Sequence, residues 1–183
     1  MPWSLKRFQE SGQTHFVTFS CYQRRSLFTT NVSKQTLETA LERVRSMYRL
    51  RVYGYVAMPE HVHLLLSEPE RATLSTALKS LKQGVSRRLI GESEHFWQKR
   101  YFDFNIRNYR QFVEKLRYLH RNPVKRGLCT RPEDWEWSSF THYATGIDGR
   151  VEIESEWTAR KRERATGRLC PALELPHSSQ KMA

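Results

Sequence analysis

The stretch MPEHVHLLLSE, Met58 to Glu68, sets two histidines one residue apart at the mouth of an apolar run. Along a β-strand alternate side chains share a face, so His61 and His63 point one way while Val62 and Leu64 point the other. Neighbouring imidazoles can close on one divalent cation as adjacent ligands. Two ligands alone make no site, however, and an H-x-H pair also reads as two polar groups on a solvated sheet face. A third ligand is offered by YRQFVEKLRYLHRNPVKRGL. Its apolar stripe is Phe112, Val113, Leu116 and Leu119, with Tyr109 alongside. At ~100° per residue, Tyr118 and Asn122 fall together on a different side. Asn122 carries a carbonyl oxygen, and oxygen with two imidazoles suits Mg²⁺ or Mn²⁺ with open positions. Tyr118 is not needed for the helix's core, although structural tyrosines are common.

These groups need elements to position them. THFVTFSCY (14–22) alternates β-branched and aromatic residues and reads as a strand. A helix over 31–48 places Leu37, Leu41, Val44 and Met47 or Tyr48 at helical spacing, with Asn31 or Ser33 as its cap. Strands follow over 50–58 and 61–68, and only Pro59 and Glu60 separate them, which predicts an antiparallel pair. A helix from about Ala72 to Ile90, a strand over 101–108 and a helix from Tyr109 to about Asn122 complete the set, with Pro123 as the stop. The first six elements, β-α-β-β-α-β, predict an α+β, ferredoxin-like antiparallel four-stranded sheet with the third strand central. The additional C-terminal helix, which carries Tyr118, must pack elsewhere. Residues 1–145 read as one domain. Residues 146–183, polar and basic with ARKRERATGR, read as a peripheral or partly disordered tail.

The chain of 183 residues carries a formal net charge of +12, which attracts polyanions, nucleic acid first. A membrane surface is not expected, because no basic amphipathic helix ends in a lipid-facing stripe. Three scattered cysteines make no disulfide framework, and the N-terminal stretch has no apolar signal region, so a cytoplasmic protein is expected. Lys82, Arg87, Arg88, Lys99 and Arg100 form one basic segment, and Arg117, Arg121, Lys125 and Arg126 form another around Tyr118. Solvated helix faces are the usual reading of such charge. Two dense segments bracketing Tyr118 favour a phosphate track instead. Lys6, Arg7, Arg24 and Arg25 are further candidates. EHFWQKRYF mixes rings with cations as base stacking requires, though Phe96 and Trp97 suit a core equally well. DWEWSSF reads as a structural strap.

Four pieces, VTFSCYQRRSLF, YVAMPEHVHLLL, YLHRNPVKRGL and WEWSSF, run in that order over about Thr14 to Phe140. Together they resemble the HUH single-tyrosine transposases and, within them, the REP-associated tyrosine transposases. The pattern departs at Glu60, where relatives often carry Asn or Asp, and at His120-Arg121, where small residues are usual. The resemblance implies a metal-dependent transposase that nicks and rejoins single-stranded DNA. Tyr118 would be the nucleophile forming a 5′-phosphotyrosine, and it alone of the eight tyrosines has a ligand-capable partner at i+4 just before a proline. His61, His63 and Asn122 would hold Mg²⁺ or Mn²⁺, with Glu60 as an auxiliary candidate, either a base or an orienter of one ligand. The implied partner is hairpin DNA, a repetitive extragenic palindrome with a GTAG-type tetranucleotide at its foot, near the nucleoid. Related insertion-sequence transposases are dimers that swap the tyrosine helix. The REP-associated branch implies a monomer, and the charged α-helix bearing Tyr118 shows no second apolar stripe. The competing readings are a catalytically silent binder of hairpins or single strands and, ranked lower, a replication initiator or relaxase.

Overall fold

The computed structural model describes residues 13–90 and 95–167. The elements β1 (Thr14–Ser20), α1 (Asn31–Tyr48), β2 (Val52–Ala57), β3 (His61–Ser67), α2 (Leu74–Leu89), β4 (Phe102–Ile106) and α3 (Tyr109–Lys125) follow the expected order. Two short helices come after them, α4 (Phe140–Thr145) and α5 (Glu156–Thr166). The strands make one antiparallel sheet in the order β2-β3-β1-β4, so β3 is internal as expected. Each long helix starts on a hydroxyl or amide that accepts a free backbone N–H: Thr30 for α1, Thr73 for α2 and Asn108 for α3. The cap of α1 is thus Thr30, one residue before Asn31.

Alternation along the strands divides the sheet into two apolar faces. Val17, Phe19, Val62, Leu64 and Leu66 join α1 and α2 in the larger core. Phe16, Val56 and Leu65 face the other way and meet Phe112 and Leu119 of α3. The additional helix therefore covers the face opposite α1 and α2, and it is the face that carries the histidines. Gly54 lets α3 lie close to β2: a Cβ there would stand 2.8 Å from Leu116 Cδ1 and 3.2 Å from Ser139 Oγ.

Two expectations need correction. Proline does not stop α3 at Asn122; Pro123 lies inside the helix, which runs on to Lys125. Proline removes one N–H and crowds the preceding residue, but here Asn122 and Pro123 are buried and the Asn122 side chain is tied to β3. Tertiary contact overrides the local penalty, and the helix ends within a turn.

The second correction concerns 151–154, which pack on the sheet although most of 146–167 is exposed. Val151 and Ile153 are buried in the main core, and Ile153 bridges Val52. The rest of the expected tail, 168–183, lies outside the described residues. DWEWSSF is the strap expected of it: Trp135 Nε1 donates to the Ala57 carbonyl at 3.1 Å, and Trp137 and Ser139 exchange bonds with Ala57 and Tyr55. Strap and residues 153–154 together pair with the outer edge of β2, an arrangement that shields an exposed strand.

Candidate active site

His61 and His63 lie on the α3 side of β3, both almost fully buried. Register fixes their neighbours. Thr18 on β1 is the cross-strand partner of His63, and its Oγ1 lies 2.7 Å from His63 Nδ1. Glu60 Oε1 lies 3.1 Å from His61 Nδ1 and also accepts from Arg126 Nη2 at 2.7 Å. With both Nδ1 atoms occupied, the two Nε2 atoms converge to 3.0 Å. The Asn122 amide reaches the same point, its Nδ2 being 2.8 Å from His63 Nε2.

This donor set fits a divalent cation. If both Nδ1–H groups donate outward, to Glu60 and Thr18, both Nε2 lone pairs face inward. The Asn122 amide, turned over, adds its oxygen to the same spot; which way an amide faces is set by hydrogen bonding. A separation of 3.0 Å is the edge of an octahedron with bonds of ~2.1 Å. Burial, then the nearby charges of His61 and Lys115, pushes the His63 imidazole down to about 3; burial also lowers His61, against the pull of Glu60. Both rings are therefore neutral at neutral pH, the state a ligand needs. Among the described residues no cluster of three His, Cys, Asp or Glu side chains could hold a metal; the third group beside the two imidazoles is the Asn122 amide.

Tyr118 sits over this point and stays accessible, 41% exposed. Its ring meets His63 edge-on at 5.3 Å and Phe16 at 5.9 Å. The phenol opens into a cleft of about 540 Å³ that also contains Arg24, Lys115, Lys125 and Arg126 and that no carboxylate lines. Arg24 arrives on a costly turn: Tyr22 to Arg25 closes by an Arg25 N–H to Tyr22 carbonyl bond with Gln23 (φ 50°) and Arg24 (φ 54°) both left-handed. That conformation costs roughly 1–2 kcal/mol for each residue with a side chain.

Three separated stretches, around Thr18, His61 to His63 and Tyr118 to Arg126, thus meet at one cationic cleft. A family model described as "Transposase IS200 like" matches residues 9–122. The chain belongs to the IS200-like transposases. This transposase is 29% identical over 137 residues to the "REP-associated tyrosine transposase" of Escherichia coli (strain K12), which covers 74% of this chain and 81% of the relative. It is also similar, at 25% identity and a TM-score of 0.69, to a solved structure of a REP-associated tyrosine transposase bound to a REP hairpin, over 82% of this chain and 90% of that one.

The other basic candidates separate in space. Arg117 and Arg121 are exposed on α3 outside the cleft lining, and Arg25 is exposed beside Arg24. Lys99 and Arg100 are exposed just before β4. Arg87 and Arg88 end α2 on the opposite side of the sheet. Lys82 donates its ammonium to the Gln98 carbonyl at 2.7 Å and is partly buried. Lys6 and Arg7 lie outside the described residues. Phe96 and Trp97 pack with Phe28 in the core and do not serve as a stacking platform. Thr18 and Lys115 were missed. Lys115 stood three residues before Tyr118, at a spacing that puts both on one side of a helix. Thr18 had no signal, because its role depends on register between distant strands. No helix among the described residues is long and apolar enough to cross a membrane.

Proposed function

We propose that this transposase cuts and rejoins single-stranded DNA at the foot of a repetitive extragenic palindrome hairpin, through a tyrosyl-DNA intermediate. The observation that carries this reading is the convergence of Tyr118, His61, His63 and Asn122 in an acid-free cationic cleft. The hairpin substrate is supported by the likeness to REP-associated tyrosine transposases, one of them solved with a REP hairpin bound. Residues 1–145 are the strand-transferring unit, buttressed by 146–167. The enzyme works in the cytoplasm at the nucleoid.

In the forward step the Tyr118 oxygen bonds to phosphorus and the bond from phosphorus to the 3′-oxygen breaks. The phenol proton leaves to a solvent base, and the departing 3′-oxygen takes up a proton. One phosphodiester is exchanged for another, so a 3′-hydroxyl can reverse the step without an external energy source. A Mg²⁺ or Mn²⁺ ion, when bound, would supply Lewis-acid polarisation of a non-bridging oxygen. His61, His63 and Asn122 would hold it, and Thr18 and Glu60 fix the two rings. Glu60 acts as an orienter, its Oε1 engaged by both His61 and Arg126. Arg24, Lys125 and Arg126 guide the strand. Tyr118 serves the histidines of its own chain, consistent with a monomer acting in cis.

The test is a labelled hairpin oligonucleotide incubated with protein and Mg²⁺ or Mn²⁺, then run on a denaturing gel. A covalent adduct is expected from the native chain and none from Tyr118→Phe. His63→Ala should lower adduct formation at least ~100-fold. An adduct that persists in Tyr118→Phe would place the nucleophile elsewhere, and binding with no adduct across several REP-type hairpins would identify a silent binder.

A further inference from the structure

We propose that Lys115 is a catalytic cation that contacts the scissile phosphate separately from the histidine and asparagine site. The inference rests on the strand-transfer reading above. Lys115 precedes Tyr118 by one turn of α3, so both side chains leave the same side of the helix. Its ammonium stands 4.8 Å from the centre of the Phe104 ring, 4.9 Å from Phe16 and 5.9 Å from Tyr118. Aromatic faces attract a cation and fix its place, yet they carry no net charge and so cancel none of its field. Among the described residues Lys115 forms no ion pair, and no carboxylate lines the cleft.

The blander role is a strut that packs its methylene stem on Phe16 and Phe104. Lys34 shows what that looks like: its ammonium lies over Trp135 and Trp137 in a buried place away from the cleft. Lys115 differs because it is half-buried and opens onto the nucleophile. Lys125 also lies over Tyr118, at 5.7 Å, but it is exposed and free to swing. A fixed cation with no counter-ion, in a cleft partly stripped of water, keeps its attraction for an incoming anion. As the Tyr118 oxygen bonds to phosphorus and the 3′-oxygen departs, negative charge gathers on the phosphoryl oxygens. Lys115 stabilises that charge without giving or taking a proton.

Lys115→Met keeps the stem and removes the charge; Lys115→Arg keeps the charge. Single-turnover adduct formation is measured at saturating hairpin oligonucleotide with Mg²⁺, and hairpin affinity is measured separately by fluorescence anisotropy. Lys115→Met should slow adduct formation by ~30-fold or more while weakening binding by less than ~3-fold, and Lys115→Arg should recover most of the rate. Lys115→Gln, a second uncharged variant, guards against a folding defect peculiar to Met. The inference is overturned if both uncharged variants react at the native rate. It also fails if their rate loss is matched by lost affinity, or if Lys115→Arg is as slow as Lys115→Met. A native chain that forms no adduct at all removes the strand-transfer reading together with this one. A native chain that reacts no faster than Lys115→Met removes this one alone.

Discussion

At the residue scale, burial decides how the histidines respond to acid. His63 is pushed down to about 3 and His120 to about 4, both first by burial, against 6.5 in the unfolded chain. Between those values the unfolded chain binds more protons, so stability is present above pH 6.5 and is lost as pH falls. His15 acts in the opposite sense. Burial opposes its charge, but Asp103 at 2.8 Å and Glu68 at 3.1 Å outweigh that and raise it. Its contribution is present below pH 6.5 and fades as pH climbs through the raised value. Burial lowers His61 as well, so three depressed histidines stand against one raised, and the balance among the histidines is acid-sensitive. At ~1.4 kcal/mol per pH unit, His63 and His120 each withdraw about 2 kcal/mol between pH 6.5 and 5. Without divalent cations, His120→Asn should therefore lose ~4 °C less in Tm than the native chain when the buffer goes from pH 7 to 5. Equal losses would mean that His120 is protonated alike in both states.

At the scale of elements, periodicity made most of the fold legible. The alternation in THFVTFS and the leucines of α1 and α2 placed those elements to within a few residues, and the element order gave the sheet. That His61 and His63 share a face, and that Tyr118 and Asn122 share a side of α3, was also readable, because each depends on spacing within one element. What depended on contacts between elements was not. The continuation of α3 past Pro123 needed the Asn122 to His63 contact, and Glu60 with Arg126 joins residues far apart in the chain. Val151 and Ile153 are isolated apolar residues in a polar stretch, with no period to mark them as core. Gly54 marks a close approach of α3 to β2. Gly54→Ala should force Leu116 and α3 away from β2, costing ~1–3 kcal/mol. It should also slow adduct formation, because Tyr118 rides on α3 while the histidines stay on β3. A melt and an adduct assay check both; a stable variant with native rate would mean that Leu116 simply turns aside.

For the whole molecule, a charge of +12 and a cleft with four cations predict binding that salt weakens. Arg126 already faces Glu60, which leaves about three cations for phosphates. At ~0.7 per contact for a single strand, log Kd should rise with log salt at a slope of ~2–3 for a short oligonucleotide across the site. Lys125→Gln should lower that slope by ~0.7 in an anisotropy titration, and an unchanged slope would take Lys125 off the strand's path. The closure of β2 by residues 137–139 and 153–154 also bears on how the chain is made. Synthesis runs from the N-terminus, so the sheet and every reacting group emerge from the ribosome before the segment that seals its flank. Until then β2 presents bare backbone to any neighbouring nascent chain. A polypeptide released at residue 145 would hold Tyr118 and both histidines yet leave the Val52 end of β2 uncovered.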